Sequence, residues 1–206
     1  MKKLVTFINK HDTLILTLVI GIIVTLEIFQ GSLIAEDSLF DFGNMYKLYQ
    51  GKLIYKDVNI LITPLFFIIG KLLLSIFYGN YFTFLLYGVM IMTIFYMTIY
   101  KLFKILKVKK QFAMIFTISI VMISIEIIKG GTNYNALGLI FVLLGIIYSL
   151  KSAEYIQNNK ENVENMPKFN TMIQKHNNLT QAIIIVITFF TMQKLGARLC
   201  NKLHSI

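Results

Sequence analysis

Asp37, Asp41 and Asn44 are residues whose types and spacing could support chemistry. At about 100° per residue, their i, i+4 and i+7 positions share one face of a helix over 37–49. The apolar and aromatic residues of this segment share another face: Leu39, Phe42, Met45, Tyr46 and Tyr49. The pattern predicts an amphipathic helix in the membrane interface, with two carboxylates on its polar face.

Two neighbouring carboxylates suit a general base or a divalent cation site. A purely structural interpretation competes with both. Asp37 is a good N-cap residue, and Asp41 is an acid near the start of the helix that complements its dipole. Spacing alone favours this structural interpretation.

The elements that must position these residues are strongly hydrophobic. Of the 206 residues, 56% are hydrophobic and 15% are charged, whereas a soluble domain carries about 25% charged residues. The mean hydropathy is +0.69. The single cysteine, Cys200, excludes an intrachain disulfide. Composition therefore predicts an integral membrane protein and excludes a soluble globule for most of the chain.

The apolar runs predict an all-α membrane protein in one domain, with about five transmembrane helices and a juxtamembrane helical loop over 31–78. The predicted spans are 13–30, 81–100, 112–128, 136–150 and 179–192, and the polar segment 151–178 is predicted to be a flexible cytoplasmic connector.

The apolar stretch 59–78 is interrupted by Pro64 and Lys71. Proline removes a backbone donor, and a lysine deep in hydrocarbon is costly. This stretch is therefore predicted to be juxtamembrane or re-entrant rather than spanning.

The net charge of +10 comes almost wholly from lysine. These lysines lie between apolar runs, where they orient helices, so no nucleic-acid partner is expected. The positive-inside rule places the basic N-terminus, the lysine-rich loop 101–111 and the connector in the cytoplasm. Six full spans with the N-terminus outside satisfy the rule equally well. The first topology is preferred because three lysines fall within the first ten residues.

The segment that follows the first apolar run resembles a known family. Its features are Asp37, a helix, the pattern G-x-x-x-Y-x-D formed by Gly51, Tyr55 and Asp57, and the Thr-Pro-Leu-Phe-Phe run at 63–67. This order is similar to the first extracytoplasmic loop of GT-C membrane glycosyltransferases. Protein O-mannosyltransferases and the aminoarabinose transferases of lipid A belong to that superfamily.

The resemblance implies site residues by position. An acid just after the first span is the family's catalytic base, which implies Asp37, with Asp41 as the alternative. Tyr55 and Asp57 are implied to bind substrate. The family's loop also contains juxtamembrane helices that do not cross, in agreement with the interpretation of 59–78.

Two later segments resemble the family more weakly. Asn133, Tyr134 and Asn135 resemble a D-Y-N-x-L turn in which Asn133 replaces the acid. The Phe-Phe-Thr-Met-Gln-Lys run at 189–194 resembles an F-x-T-K-Q run, although its lysine is displaced by two places. The resemblance implies substrate binding by Tyr134, Asn135, Gln193 and Lys194.

The reaction implied by the resemblance is inverting transfer of a sugar from a polyprenyl-phosphate carrier. The acceptor is a glycan, lipid or protein outside the cytoplasmic membrane. No cofactor is firmly implied, and a divalent cation stays an open alternative. The chain covers less than half of a typical member, so it is expected to be truncated and its activity alone is uncertain. The alternative is a small non-enzymatic polytopic membrane protein that serves as a scaffold, a subunit or an inactive remnant.

Overall fold

The computed structural model describes residues 11–31, 36–58, 64–125, 128 and 134–158. These residues are almost entirely helical, and among them the only β feature is an isolated bridge between Ile54 and Val58. The helices are α1 (Asp12–Gly31), α2 (Glu36–Tyr49), α3 (Pro64–Ile76), α4 (Tyr81–Ile105), α5 (Lys110–Ile123) and α6 (Tyr134–Asn158). The all-α prediction is confirmed for this part of the chain.

Within the described residues, three helices are long and apolar enough to cross a membrane: α1, α4 and the 135–154 portion of α6. Helices α3 and α5 have 13 and 14 residues. At about 1.5 Å per residue each reaches about 20 Å, which is short of the ~30 Å hydrocarbon core. The helix predicted over 112–128 ends at Ile123, and 179–192 lies outside the described residues. Within the described residues, three of the five predicted spans are therefore candidate membrane spans.

Helix α1 shows why the bundle suits a membrane. Every fourth residue from Leu16 to Ile28 is buried, and α1 packs on α4. The stripe Leu14, Leu18, Ile22 and Leu26 is 55–61% exposed. An apolar stripe of this length is unfavourable in water and is favourable against lipid. In lipid, the buried stripe stabilises the bundle through close packing rather than through the hydrophobic effect.

Helix α4 is the centre of the bundle and contacts α1, α3, α5 and α6. Three buried tyrosines on α4 each bind a different partner element. Tyr87 Oη donates to the Phe66 carbonyl of α3 at 2.9 Å. Tyr96 Oη lies 2.5 Å from Ser124 Oγ, just after α5. Tyr100 Oη donates to Asp12 of α1 at 2.5 Å. Each ring packs in an apolar environment while its hydroxyl forms a hydrogen bond, so α4 is connected to its neighbours at three positions along its length.

The two ends of the bundle differ in charge. Asp12, Lys104 and Lys110 meet at one end, which we call the lysine-rich end. At the other end, the rings of Phe29 and Phe82 lie 5.5 Å apart. The loop between α1 and α4 therefore begins and ends at the same end of the bundle. This arrangement fits a stretch 59–78 that does not cross, and it does not fit the six-span alternative.

Helix α6 continues to Asn158, so 151–158 is helical and does not belong to the flexible connector predicted from residue 151. This segment contains no glycine or proline, which would oppose a helix. Its Glu154 pairs with Lys107 at 3.0 Å. The rest of the predicted connector lies outside the described residues.

Candidate functional site

Helices α2 and α3 form a pair between the first two candidate spans, which we call the α2–α3 pair. The two helices pack closely because Gly70 of α3 faces Met45 of α2, and a Cβ at position 70 would overlap the methionine sulfur. Helix α3 also packs on α4. The pair is therefore fixed to the end of the bundle that is opposite the lysine-rich end.

The polar residues of α2 are buried together with part of its predicted apolar face, where Met45 is 0% exposed. Ser38, Asp41 and Asn44 are 1%, 3% and 5% exposed, whereas Leu39 and Phe40 are 51% and 55% exposed. Asp41 and Asn44 share a face, as the sequence predicts, and that polar face is buried. In a bilayer the surrounding medium is apolar, so polar side chains are more stable inside the protein and apolar side chains outside. Periodicity identified which residues share a face of α2, but it did not identify whether that face points into the protein or away from it.

Buried polar groups are therefore concentrated near the start of α4. Asp41 lies within electrostatic range of the Tyr87 hydroxyl. Phe42 packs edge-on against Tyr81 with ring centroids 5.0 Å apart. Among the described residues, Asn44 Nδ2 is buried without a hydrogen-bond partner. A buried amide that lacks a hydrogen-bond partner costs free energy unless another group supplies the missing hydrogen bond.

Glu27 adds a second acid at this end of the bundle. It lies two residues before Phe29, whose ring contacts Phe82 at the start of α4. Its Oε2 atom is buried and has no hydrogen-bond partner in the described part of the chain. An acid of this kind within a membrane helix is a functional candidate by default.

Asp37 lies in the first turn of α2, one helical turn before Asp41. Its side chain lies outside the described residues. Its predicted role as catalytic base, and the competing role as helix cap, both stay predictions. The i, i+4 spacing places it along the same helix face as Asp41.

The G-x-x-x-Y-x-D pattern forms a tight turn after α2. Gly51 and Tyr55 adopt left-handed φ angles of 89° and 65°. The Leu53 amide donates to Asp57 Oδ2 at 2.9 Å, so Asp57 closes the turn with its own side chain. Tyr55 is 67% exposed. The structure gives Asp57 a local structural role, and its predicted substrate contact stays a prediction.

The remaining predicted site residues are distributed over the later part of the chain. Tyr134 and Asn135 begin α6. Glu154 near the other end of α6 pairs with Lys107 at the lysine-rich end. A 25-residue helix spans about 37 Å, so Tyr134 and Asn135 belong to the same end as the α2–α3 pair. Gln193 and Lys194 lie outside the described residues.

No group of three or more His, Cys, Asp or Glu side chains within the described ranges is arranged to hold a metal ion. The predicted cation site involves only two acids, Asp37 and Asp41, and the Asp37 side chain lies outside the described residues. A divalent cation there stays a prediction.

A second polar cluster, at the lysine-rich end, was missed by sequence reasoning. Asp12 is 7% exposed. Its Oδ2 atom lies 2.5 Å from Tyr100 Oη, 3.3 Å from Lys110 Nζ and 3.7 Å from Lys104 Nζ. The available signal was a lone acid at the junction between a basic terminus and an apolar run. In the sequence, Asp12 is only one acid at the end of a basic segment, and nothing local indicates its partners.

The fold and these sites define a helical membrane protein that carries a pair of short helices between its first two candidate spans. Comparison with known protein families, with curated proteins and with solved structures finds no match.

Proposed function

We propose that this chain is a GT-C-like membrane glycosyltransferase module. It would take part in transfer of a sugar from a polyprenyl-phosphate carrier to a glycan, lipid or protein acceptor outside the cytoplasmic membrane. The observation that supports this proposal is the α2–α3 pair, which lies with the acids of the predicted catalytic loop at the end opposite the lysine-rich end. By the positive-inside rule, the lysine-rich end is cytoplasmic and the pair is extracytoplasmic.

In this proposal Asp37 is the general base and Asp41 supports it. A base must reach the hydroxyl proton that it removes. Asp41 is 3% exposed and does not meet that condition in this conformation. Asp37 follows the end of α1 by six residues and lies in the first turn of α2. It would therefore lie at the membrane surface, at the depth of a lipid-linked phosphate.

The second candidate is a non-enzymatic subunit or scaffold. It is favoured by the burial of Asp41 and by the use of Asp57 to close its own turn. If these two acids serve only the fold, the α2–α3 pair is an anchoring element rather than a catalytic loop. The two candidate functions differ in whether the α2–α3 pair binds a polyprenyl phosphate.

The binding step can be tested on membranes that contain the full chain, using a photoactivatable polyprenyl-phosphate hexose. We expect cross-linking to peptides of 36–76, with competition by polyprenyl phosphate and none by the phosphate-free alcohol. Labelling that does not depend on the phosphate would overturn the glycosyltransferase proposal and favour the subunit.

The chemical step is tested by Asp37→Asn, which keeps a capping oxygen but cannot act as a base. Loss of a general base lowers the rate by about 10²–10⁴-fold, while cross-linking should persist. The readout is release or transfer of radiolabelled sugar from the carrier. Glu154→Gln removes an acid at the opposite end of the bundle, where it pairs with Lys107, and is the control that should retain the wild-type rate. If wild-type membranes transfer sugar and Asp37→Asn transfers it equally well, Asp37 is only a cap.

A further inference from the structure

A cavity of about 590 Å³ lies between α1, α4 and α6 at the lysine-rich end. Helices α1 and α6 each pack against α4 and leave a space between themselves. Lys101, Lys104 and Lys151 line this space, and no acidic side chain of the described residues does so. The cavity therefore presents positive charge at the depth of the membrane surface.

A second cavity of about 360 Å³ continues along the groove between α1 and α4. Thr17 and Thr93 line both cavities, so the two are adjacent along the groove. The extension is lined by apolar side chains such as Ile22 and Val89. From Lys104 to Val89 the groove follows α4 for about 22 Å, at roughly 1.5 Å per residue. This length exceeds one leaflet of the ~30 Å hydrocarbon core.

The described residues do not neutralise the charge at the mouth. Lys101 and Lys151 form no ion pair with any other described residue, and Lys104 shares the single carboxylate of Asp12 with Lys110. Deeper in the groove, the buried Thr93 hydroxyl has no hydrogen-bond partner within the described ranges. Three lysines with one nearby carboxylate among the described residues, together with an apolar extension, fit a ligand with an anionic head and a hydrocarbon tail.

We propose that this groove binds an anionic phospholipid. Its phosphate would lie between Lys101, Lys104 and Lys151, and one acyl chain would lie along α1 and α4 beside Gly21. A free phosphate would use the lysines but leave the 360 Å³ extension empty. The site is at the opposite end of the bundle from the α2–α3 pair, so it does not depend on the proposed function.

The head-group contact is tested by combining Lys101→Gln, Lys104→Gln and Lys151→Gln in the full chain. Each lysine near an anionic surface contributes about 5-fold in affinity, so the triple variant should bind phosphatidylglycerol roughly 100-fold more weakly. Retention of lipid is measured by native mass spectrometry in neutral detergent. The control triple, Lys52→Gln, Lys56→Gln and Lys109→Gln, removes the same charge from exposed positions that line neither cavity. Equal losses in the two triples would overturn the site.

The tail contact is tested by Gly21→Leu. Gly21 lines the extension, and a Cβ there meets nothing within 4 Å. Leucine is the better helix former, so the variant should fold, while its side chain fills the groove. Displacing a few methylenes should lower phosphatidylglycerol affinity by about tenfold or more, and should leave binding of glycerol phosphate unchanged. Wild-type retention of phosphatidylglycerol by this variant would overturn the proposed chain site. If the wild-type protein bound phosphatidylcholine as tightly as phosphatidylglycerol, the proposed preference for an anionic lipid would also be overturned.

Discussion

Asp12 joins three elements at the lysine-rich end of the bundle. Its carboxylate accepts from Tyr100 of α4 and lies near Lys104 and Lys110, which flank the turn between α4 and α5. Removing its charge would leave two lysines close together without their anion. A nearly buried carboxylate is therefore more important to stability here than an exposed ion pair.

We expect Asp12→Asn to lower the free energy of unfolding by about 1–2 kcal/mol. This is below the full cost of breaking a buried pair, because the lysine side chains remain 49% and 30% exposed. Thermal unfolding in detergent measures the effect. Glu154→Gln removes the more exposed pair with Lys107 and should cost less than about 1 kcal/mol. If the two variants were equally stable, Asp12 would not have the proposed role.

At the scale of elements, the α2–α3 pair depends on close approach at Gly70. Gly70→Val would force the β-branched side chain against the flexible side chain of Met45, which is confined because it is 0% exposed. Overpacking of this kind typically costs about 1–3 kcal/mol. We expect the variant to separate α2 from α3 and to expose the short helices to protease.

Gly43→Val provides the matched control for that change. Gly43 lies in α2, and a Cβ there meets nothing within 4 Å. The same residue type in a helix of the same pair should therefore leave the protease pattern unchanged. Limited proteolysis of membranes compares the two variants. Greater cleavage in Gly43→Val than in Gly70→Val would contradict the packing described here.

Local periodicity was enough to predict α2, which was expected over 37–49 and runs Glu36–Tyr49. Period alone could not decide which face of α2 is buried, because that depends on whether lipid or water surrounds it. Hydropathy also did not predict a break in the apolar run 112–128. Helix α5 ends where Ser124 bonds back to the Ile120 and Val121 carbonyls, although beyond this break the Ile128 amide donates to the Ser124 carbonyl.

The contacts of Asp12 could not be predicted from local sequence. Its hydroxyl donor, Tyr100, is 88 residues away along the chain. A pairing at that separation depends on α1 and α4 packing side by side with their ends aligned. The cavity between α1, α4 and α6 has the same origin, because it is a space between helices rather than a sequence pattern.

At the scale of the whole molecule, charge and shape agree. The lysine-rich end gathers the loop after α4 and the last turns of α6. The opposite end holds the α2–α3 pair and the start of α4. The proposed transferase site and the proposed phospholipid site would then face opposite sides of the membrane. The proposed transferase function requires the α2–α3 pair to be extracytoplasmic.

Cysteine labelling in intact cells tests that claim most directly. Cys200→Ser removes the native thiol, and single cysteines are introduced at Lys52, Tyr78 and Lys109, all of which are exposed. A membrane-impermeant thiol reagent should label positions 52 and 78 before permeabilisation, and position 109 only after it. Labelling of 109 in intact cells with protection of 52 and 78 would place the α2–α3 pair in the cytoplasm and contradict the proposed function.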